Sequence, residues 1–242
     1  VEDIEHINLT LQESMKKTMP SFTNELVIIG APVYGGRLPA DAVSRFKQLR
    51  ANDTPAVLVV LYGNRDYEDA LLELKNLSIE LGFIPVAGAA FIGEHSFASK
   101  DVPIANGRPD LSDIELAIEF GEKIKKKLAD MSSPNDQVEL EVSGRFPYEA
   151  GGARALNVSP VVEDDKCTVC GICSEVCPTD AVTIENNVVT TETELCIRCC
   201  ACIKSCPEGA RFFQESMMKS LAQRLSQYFS YPKEPRFFGI CM

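Results

Sequence analysis

Eight cysteines hold the chemistry that this sequence declares most plainly. "CTVCGICSEVCP" occupies residues 167–178 and "CIRCCACIKSCP" residues 196–207. Each run spaces its thiols C-x2-C-x2-C-x3-C and ends in proline. Three thiols so spaced let a tight loop wrap three corners of a cubane. The fourth, beyond a short helical turn, points away from that cubane. This is the ligand spacing of paired [4Fe-4S] clusters, in which the fourth cysteine of each run serves the other cluster. Cys167, Cys170, Cys173 and Cys206 are accordingly assigned to one cluster, and Cys177, Cys196, Cys199 and Cys202 to the second. Pro178 and Pro207 lack an N–H and fix the backbone where the chain leaves each turn. Zinc is the competing metal, but structural zinc draws its C-x2-C pairs from separated knuckles, and four thiols within eleven residues fit it poorly.

The elements that position these thiols follow from the duplication. The two runs are offset by 29 residues throughout, so the segment is an internal repeat with pseudo-twofold symmetry. Between them "AVTIENNVV" alternates apolar and polar residues around Asn186-Asn187 and predicts a β-hairpin. Gly171, Ile172, Val176, Ile197, Ala201 and Ile203 are small or apolar and would shield the clusters. Cys200 breaks the register and reads as a small buried neighbour of the ligands. Cys241 reads as a bystander. The stretch of residues 160–212 resembles the 2[4Fe-4S] ferredoxins of bacteria and archaea.

Upstream, the apolar runs at residues 26–30, 56–63 and 86–93 predict strands buried on both faces, as in a parallel sheet. Helical faces follow: Ala42, Val43, Phe46 and Leu49; Ala70, Leu71, Leu74, Leu77 and Leu81; and a third helix capped by Ser112-x-x-Glu115 that buries Ile114, Ile118 and Leu128. Strand–helix alternation predicts a doubly wound α/β domain. Ligands of such sheets lie beyond the carboxyl ends of the strands. There stand "APVYGGRLP" (31–39) and "YGNRDYEDA" (62–70). Pro32, Val33, Tyr34, Gly35, Gly36 and Arg37 of the first loop and Gly63, Asn64, Arg65, Asp66 and Tyr67 of the second resemble the two FMN loops of the flavodoxin fold. The resemblance implies FMN as a further cofactor, Tyr34 and Tyr67 as ring contacts, and Arg37 as a partner for a reduced flavin's charge. It is incomplete. A flavodoxin-like sheet has strand order 2-1-3-4-5, and its first strand leads into a phosphate loop at a helix N-terminus. Neither is present. The alternating start "VEDIEHINL" reads as the second strand, so the first strand is expected to be absent through N-terminal truncation of about 30–40 residues, one strand–loop–helix unit.

Composition fits this assignment. At 45% hydrophobic and 24% charged residues the chain is an ordinary soluble protein, with no apolar run long enough to span a membrane. A net charge of −11 argues against a nucleic-acid partner. Ten cysteines without an export signal point to metal ligation and to the cytoplasm. Over residues 161–209 there are nine acidic and three basic residues, a balance of −6 that would steer the domain toward a redox partner with a basic docking face. The expected domains are 1–130 (flavodoxin-like), 131–160 (linker), 161–212 (ferredoxin) and 213–242. The last holds an amphipathic helix through Met217, Met218, Leu221, Leu225, Tyr228 and Phe229 and an extended end. His95 and His6 read as loop and polar-face residues, and Asn106-Gly107-Arg108-Pro109 as a turn. The whole resembles a flavodoxin–ferredoxin fusion that carries single electrons. A flavin-dependent reductase of a small molecule, and a ferredoxin with a flavin-less docking domain, are the alternatives.

Overall fold

The computed structural model describes residues 4–16, 18–133, 138–149 and 157–240. The chain divides into two compact units, one made of Val1–Thr18 and Ala155–Gln223, the other of Met19–Arg154 and Arg224–Met242. The final stretch of chain thus belongs to the α/β unit.

In the α/β unit the elements run β1 (Ser21–Phe22), β2 (Val27–Pro32), α1 (Ala40–Phe46), β3 (Arg50–Ala51), β4 (Thr54–Tyr62), α2 (Ala70–Glu80), β5 (Phe83–Ile92) and α3 (Leu111–Asp130). Strands β2, β4 and β5 are parallel neighbours. β4 and β5 are buried on both faces, as continuous Val, Leu and Ala runs require. Val57 and Val86 pack with Phe120 and Ile124 of α3. The alternation of β4 turns Leu58 and Val60 to the opposite face, and α2 buries Leu71 and Leu74.

Four expectations are corrected here. The first apolar run forms β2 but is an edge strand with one face open: Ile28 is 68% exposed. The segment expected as a strand at the start of the chain has no strand over residues 4–9, and residues 1–3 lie outside the described residues. Helix α3 is capped by Asp110, not Ser112. The Asp110 carboxylate accepts from the backbone N–H of Ser112 and Asp113, and Asp113 returns the bond to the Asp110 N–H. That start rotates the buried stripe to Asp113, Ala117, Phe120, Ile124 and Leu128, leaving Ile114 and Ile118 exposed. Finally, the end of the chain is not merely extended.

The iron–sulfur segment contains β6 (Val161–Val162), α4 (Ile172–Glu175), β7 (Val182–Glu185), β8 (Val188–Thr191), α5 (Ala201–Lys204) and β9 (Arg211–Phe212). β7 and β8 form the hairpin, with Asn186 and Asn187 at φ 51° and 64°, the left-handed pair that a tight two-residue turn needs. β6 and β9 pair antiparallel. Helix α6 (Ser216–Phe229) follows, and β10 (Arg236–Phe238) then joins the α/β sheet antiparallel to β5, giving the order β10-β5-β4-β2. Phe237 packs on Phe91 and Phe120. Cys241 lies outside the described residues.

Of the expected linker, residues 138–149 pack on the α/β unit. Leu140 is buried, Glu139 pairs with Lys75, Tyr148 Oη accepts from Asn76, and the buried Asp69 carboxylate accepts from the N–H groups of Arg145 and Glu149.

Candidate iron–sulfur site

The repeat folds as its spacing demands. In each copy the loop between the first two cysteines passes through a left-handed residue, Val169 (φ 54°) and Arg198 (φ 57°), and a second left-handed residue opens the short helix, Gly171 (φ 88°) and Cys200 (φ 62°). These reversals curl the chain so that successive thiols share one concavity. Helices α4 and α5 then carry the third cysteine and end just before the fourth. Cys177 N–H donates to Ser174 O, and Cys206 N–H to Ile203 O. Between these helices and the hairpin lies a core of Cys173, Cys177, Ala181, Val182 and Cys202.

Two cavities result. The first has about 350 Å³ of atom-free space including the solvent at its mouth, and Cys167, Cys170, Cys173 and Cys206 all line it. The second has about 320 Å³ and is lined by Cys177, Cys196, Cys199 and Cys202, with Cys200 beside them. The fourth cysteine of each run thus lines the other run's cavity. Among the described residues no three Cys, His, Asp or Glu side chains come together tightly enough to hold a single metal ion. The four thiols that line each cavity are a donor set that fits an iron–sulfur cluster.

The surroundings are largely apolar. Burial pushes the thiols of Cys173, Cys196 and Cys202 up, and that of Cys199 to about 11, while the Arg211 guanidinium pulls those of Cys173, Cys196 and Cys202 the other way. Thiols so desolvated become thiolates when a cationic group binds them, with release of protons. Ala210 N–H donates to Cys206 Sγ at 3.3 Å. Cys200 is 4% exposed and occupies the position that Gly171 holds in the first copy. Arg211 and Arg198, both buried, escaped the sequence reading. The signal was available, since an offset of 29 sets Arg211 against Val182 and Arg198 against Val169.

The loops expected to face a flavin are differently engaged. They do meet, at Asp69 N–H donating to Gly36 O. Pro32 ends β2, Val33 N–H donates to Leu61 O, and Tyr34 and Arg37 bridge around Gly35-Gly36. A Cβ on Gly36 would collide with Glu68. Arg37 is clamped in two hydrogen bonds by Glu73, at 2.8 and 2.6 Å, and lies over the Tyr148 ring. Tyr67 is 3% exposed against Tyr62, so its ring belongs to the interior. Arg65 pairs with Glu68, and Asp66 accepts from Glu68 N–H. A Cβ on Gly63 would strike His95, whose Nδ1 accepts from Phe97 N–H. Asn64 is buried and holds the chain's end: its Nδ2 donates to Phe229 O and Tyr231 O, and its Oδ1 accepts from Lys233 N–H. Of these side chains Arg37, Asn64 and Tyr67 are engaged in internal contacts, while the Asp66 side chain is half exposed.

Comparison with known families finds that residues 159–219 match the 4Fe-4S dicluster domain. No curated protein matches the chain. The match shows a 4Fe-4S dicluster ferredoxin domain over these residues and supports iron–sulfur electron transfer. Such a domain works with a redox partner. No helix among the described residues is long and apolar enough to cross a membrane.

Proposed function

We propose that the eight cysteines hold two [4Fe-4S] clusters, Cys167, Cys170, Cys173 and Cys206 one, and Cys177, Cys196, Cys199 and Cys202 the other, and that the chain is a carrier of single electrons. The observation that supports this most is the sorting of the eight thiols, four and four, into two cavities with the fourth cysteine crossed over. A bound cluster supplies reversible one-electron chemistry at a potential set by its surroundings. The protein's own residues do the rest. The cysteines anchor, Ala181, Val182 and Val189 exclude water, and the N–H of Ala210 stabilises a thiolate sulfur. The exposed carboxylates of Asp164, Asp165, Glu175, Glu192 and Glu194 would meet a basic face on the partner.

No electron path is drawn through a flavin. The reading of residues 1–130 as a flavodoxin-like domain rests on parallel β2, β4 and β5 and the meeting of their two loops, while Arg37, Asn64 and Tyr67 speak against FMN at those loops. The α/β unit then serves as a flavin-less companion to the dicluster domain. A test of both statements uses anaerobically purified chain. Stepwise reduction with dithionite should take up about two electron equivalents, returned on reoxidation, and added FMN should keep its free fluorescence. Failure to accept electrons would defeat the carrier; saturable quenching of FMN would restore the flavin reading.

A further inference from the structure

The internal repeat supplies its own control. At the position where the first copy has Val182, an apolar core residue 4% exposed, the second copy has Arg211, a cation 3% exposed. An arginine is almost never fully buried unless it is paired. Arg211 is not paired with a carboxylate: among the described residues its guanidinium has two partners, Thr191 Oγ1 at 2.7 Å and Cys202 Sγ at 3.7 Å, both through Nη2. Nε and Nη1 are buried and have no hydrogen-bond partner among the described residues.

Its position explains what could offset that cost. Arg211 lines the first cavity, while Cys202, which Nη2 touches, lines the second. The backbone leaves little freedom, because β9 holds Arg211 opposite Val162. One guanidinium therefore stands against the thiol sets of both cavities. Thiolates with a bound iron–sulfur core carry net negative charge, more of it after reduction. A buried cation with two open N–H donors stabilises such a charge, and the reduced state more than the oxidised one. An apolar residue in its place, as in the first copy, would leave that difference unmade.

We propose that Arg211 is a potential-setting residue common to both clusters, raising the reduction potential of each; this rests on the two-cluster reading above. In the couple concerned each cluster takes one electron from a dithionite-poised mediator and returns it on reoxidation, and the arginine keeps its proton throughout. The experiment is a mediated redox titration of the full chain followed by EPR, for the native protein, Arg211→Gln and Arg211→Lys, after iron and sulfide analysis of each. Fewer than about eight irons in the native chain overturns the two-cluster reading and this one with it. With about eight irons retained in Arg211→Gln, both reduction equilibria should fall about tenfold, about 59 mV for a one-electron couple. Arg211→Lys, which keeps the charge, should stay within about twofold of native. Unmoved potentials in Arg211→Gln, at full iron content, overturn the proposal alone. If Arg211→Gln does not retain its iron, the lysine variant decides: potentials near native support the proposal and a tenfold fall overturns it. A role confined to packing would affect iron content or stability but not separate glutamine from lysine in potential.

Discussion

Replacing Asn64 by alanine should free the end of the chain while leaving the α/β core intact. Asn64 is 1% exposed and makes three hydrogen bonds to the last residue of α6 and the segment after it, at 2.6 Å to Phe229 O, 2.8 Å to Tyr231 O and 3.3 Å from Lys233 N–H. A hydrogen bond contributes about 0.5–1.5 kcal/mol net, so Asn64→Ala should weaken the clamp by about 3 kcal/mol. At about 1.4 kcal/mol per tenfold, local opening of residues 230–238 rises roughly a hundredfold or somewhat more. Hydrogen exchange followed by mass spectrometry reads this directly, because β10 amides are protected by pairing with β5. The α3 peptide is the internal reference. An unchanged rate in residues 230–238 would refute the claim that Asn64 holds them. An equal acceleration in α3 would refute the claim that the end opens by itself.

Three further outcomes follow from the structure. The Arg108 guanidinium is bound in two hydrogen bonds by Asp113, whose side chain is 1% exposed. Asp113→Ala removes the closest counter-charge of Arg108, leaving Asp110 at 3.6 Å and the Lys233 carbonyl, and should lower stability by about 3 kcal/mol in urea titration, whereas an Arg108→Met/Asp113→Leu pair should recover much of it; equal loss in both would contradict the assignment. Burial pushes the Tyr62 phenol up to about 12 from an ordinary 10.0. The unfolded chain therefore ionises first, and the contribution present below pH 10 is lost as pH rises toward about 12; Tyr62→Phe should show a shallower fall in denaturation midpoint over that window, and an identical slope would contradict it. The crossed ligand sets predict that Cys170→Ala/Cys206→Ala keeps about four irons per chain, while Cys170→Ala/Cys177→Ala keeps almost none. The reverse result, almost no iron in Cys170→Ala/Cys206→Ala and about four in Cys170→Ala/Cys177→Ala, would mean that the fourth cysteines are not exchanged.

What could be read from the residues alone, and what could not, divides along physical lines. The cysteine runs are local patterns whose geometry depends on three or four neighbouring residues, so the dicluster domain and the hairpin at Asn186-Asn187 were legible before any tertiary contact was known. So were β4, β5 and α2, whose apolar runs and stripes are long. The cap of α3 was misplaced by two residues because both Asp110 and Ser112 are good caps, and that slip moved Ile114 and Ile118 to the wrong face. β10 was invisible because three residues pair with a strand far away in sequence, and the contacts that bring the chain back, from Asn64, Phe91 and Phe120, are equally distant. The strand-end loops could not be resolved from sequence for a related reason. Glycine, tyrosine and arginine mark a strand-end loop, but whether they face a ligand depends on distant partners such as Glu73 and Tyr148. Arg211 carries no local signal, because its burial depends on the pairing of β9 with β6 and on the cysteine-lined cavities beside it.

The account stands on two polynuclear groups in one small domain. Iron and acid-labile sulfide, measured on anaerobically purified chain with the protein quantified by amino-acid analysis, test this most directly. The account predicts about eight of each per chain and no zinc. Zinc in place of iron, or about four irons with no loss on handling, would contradict it.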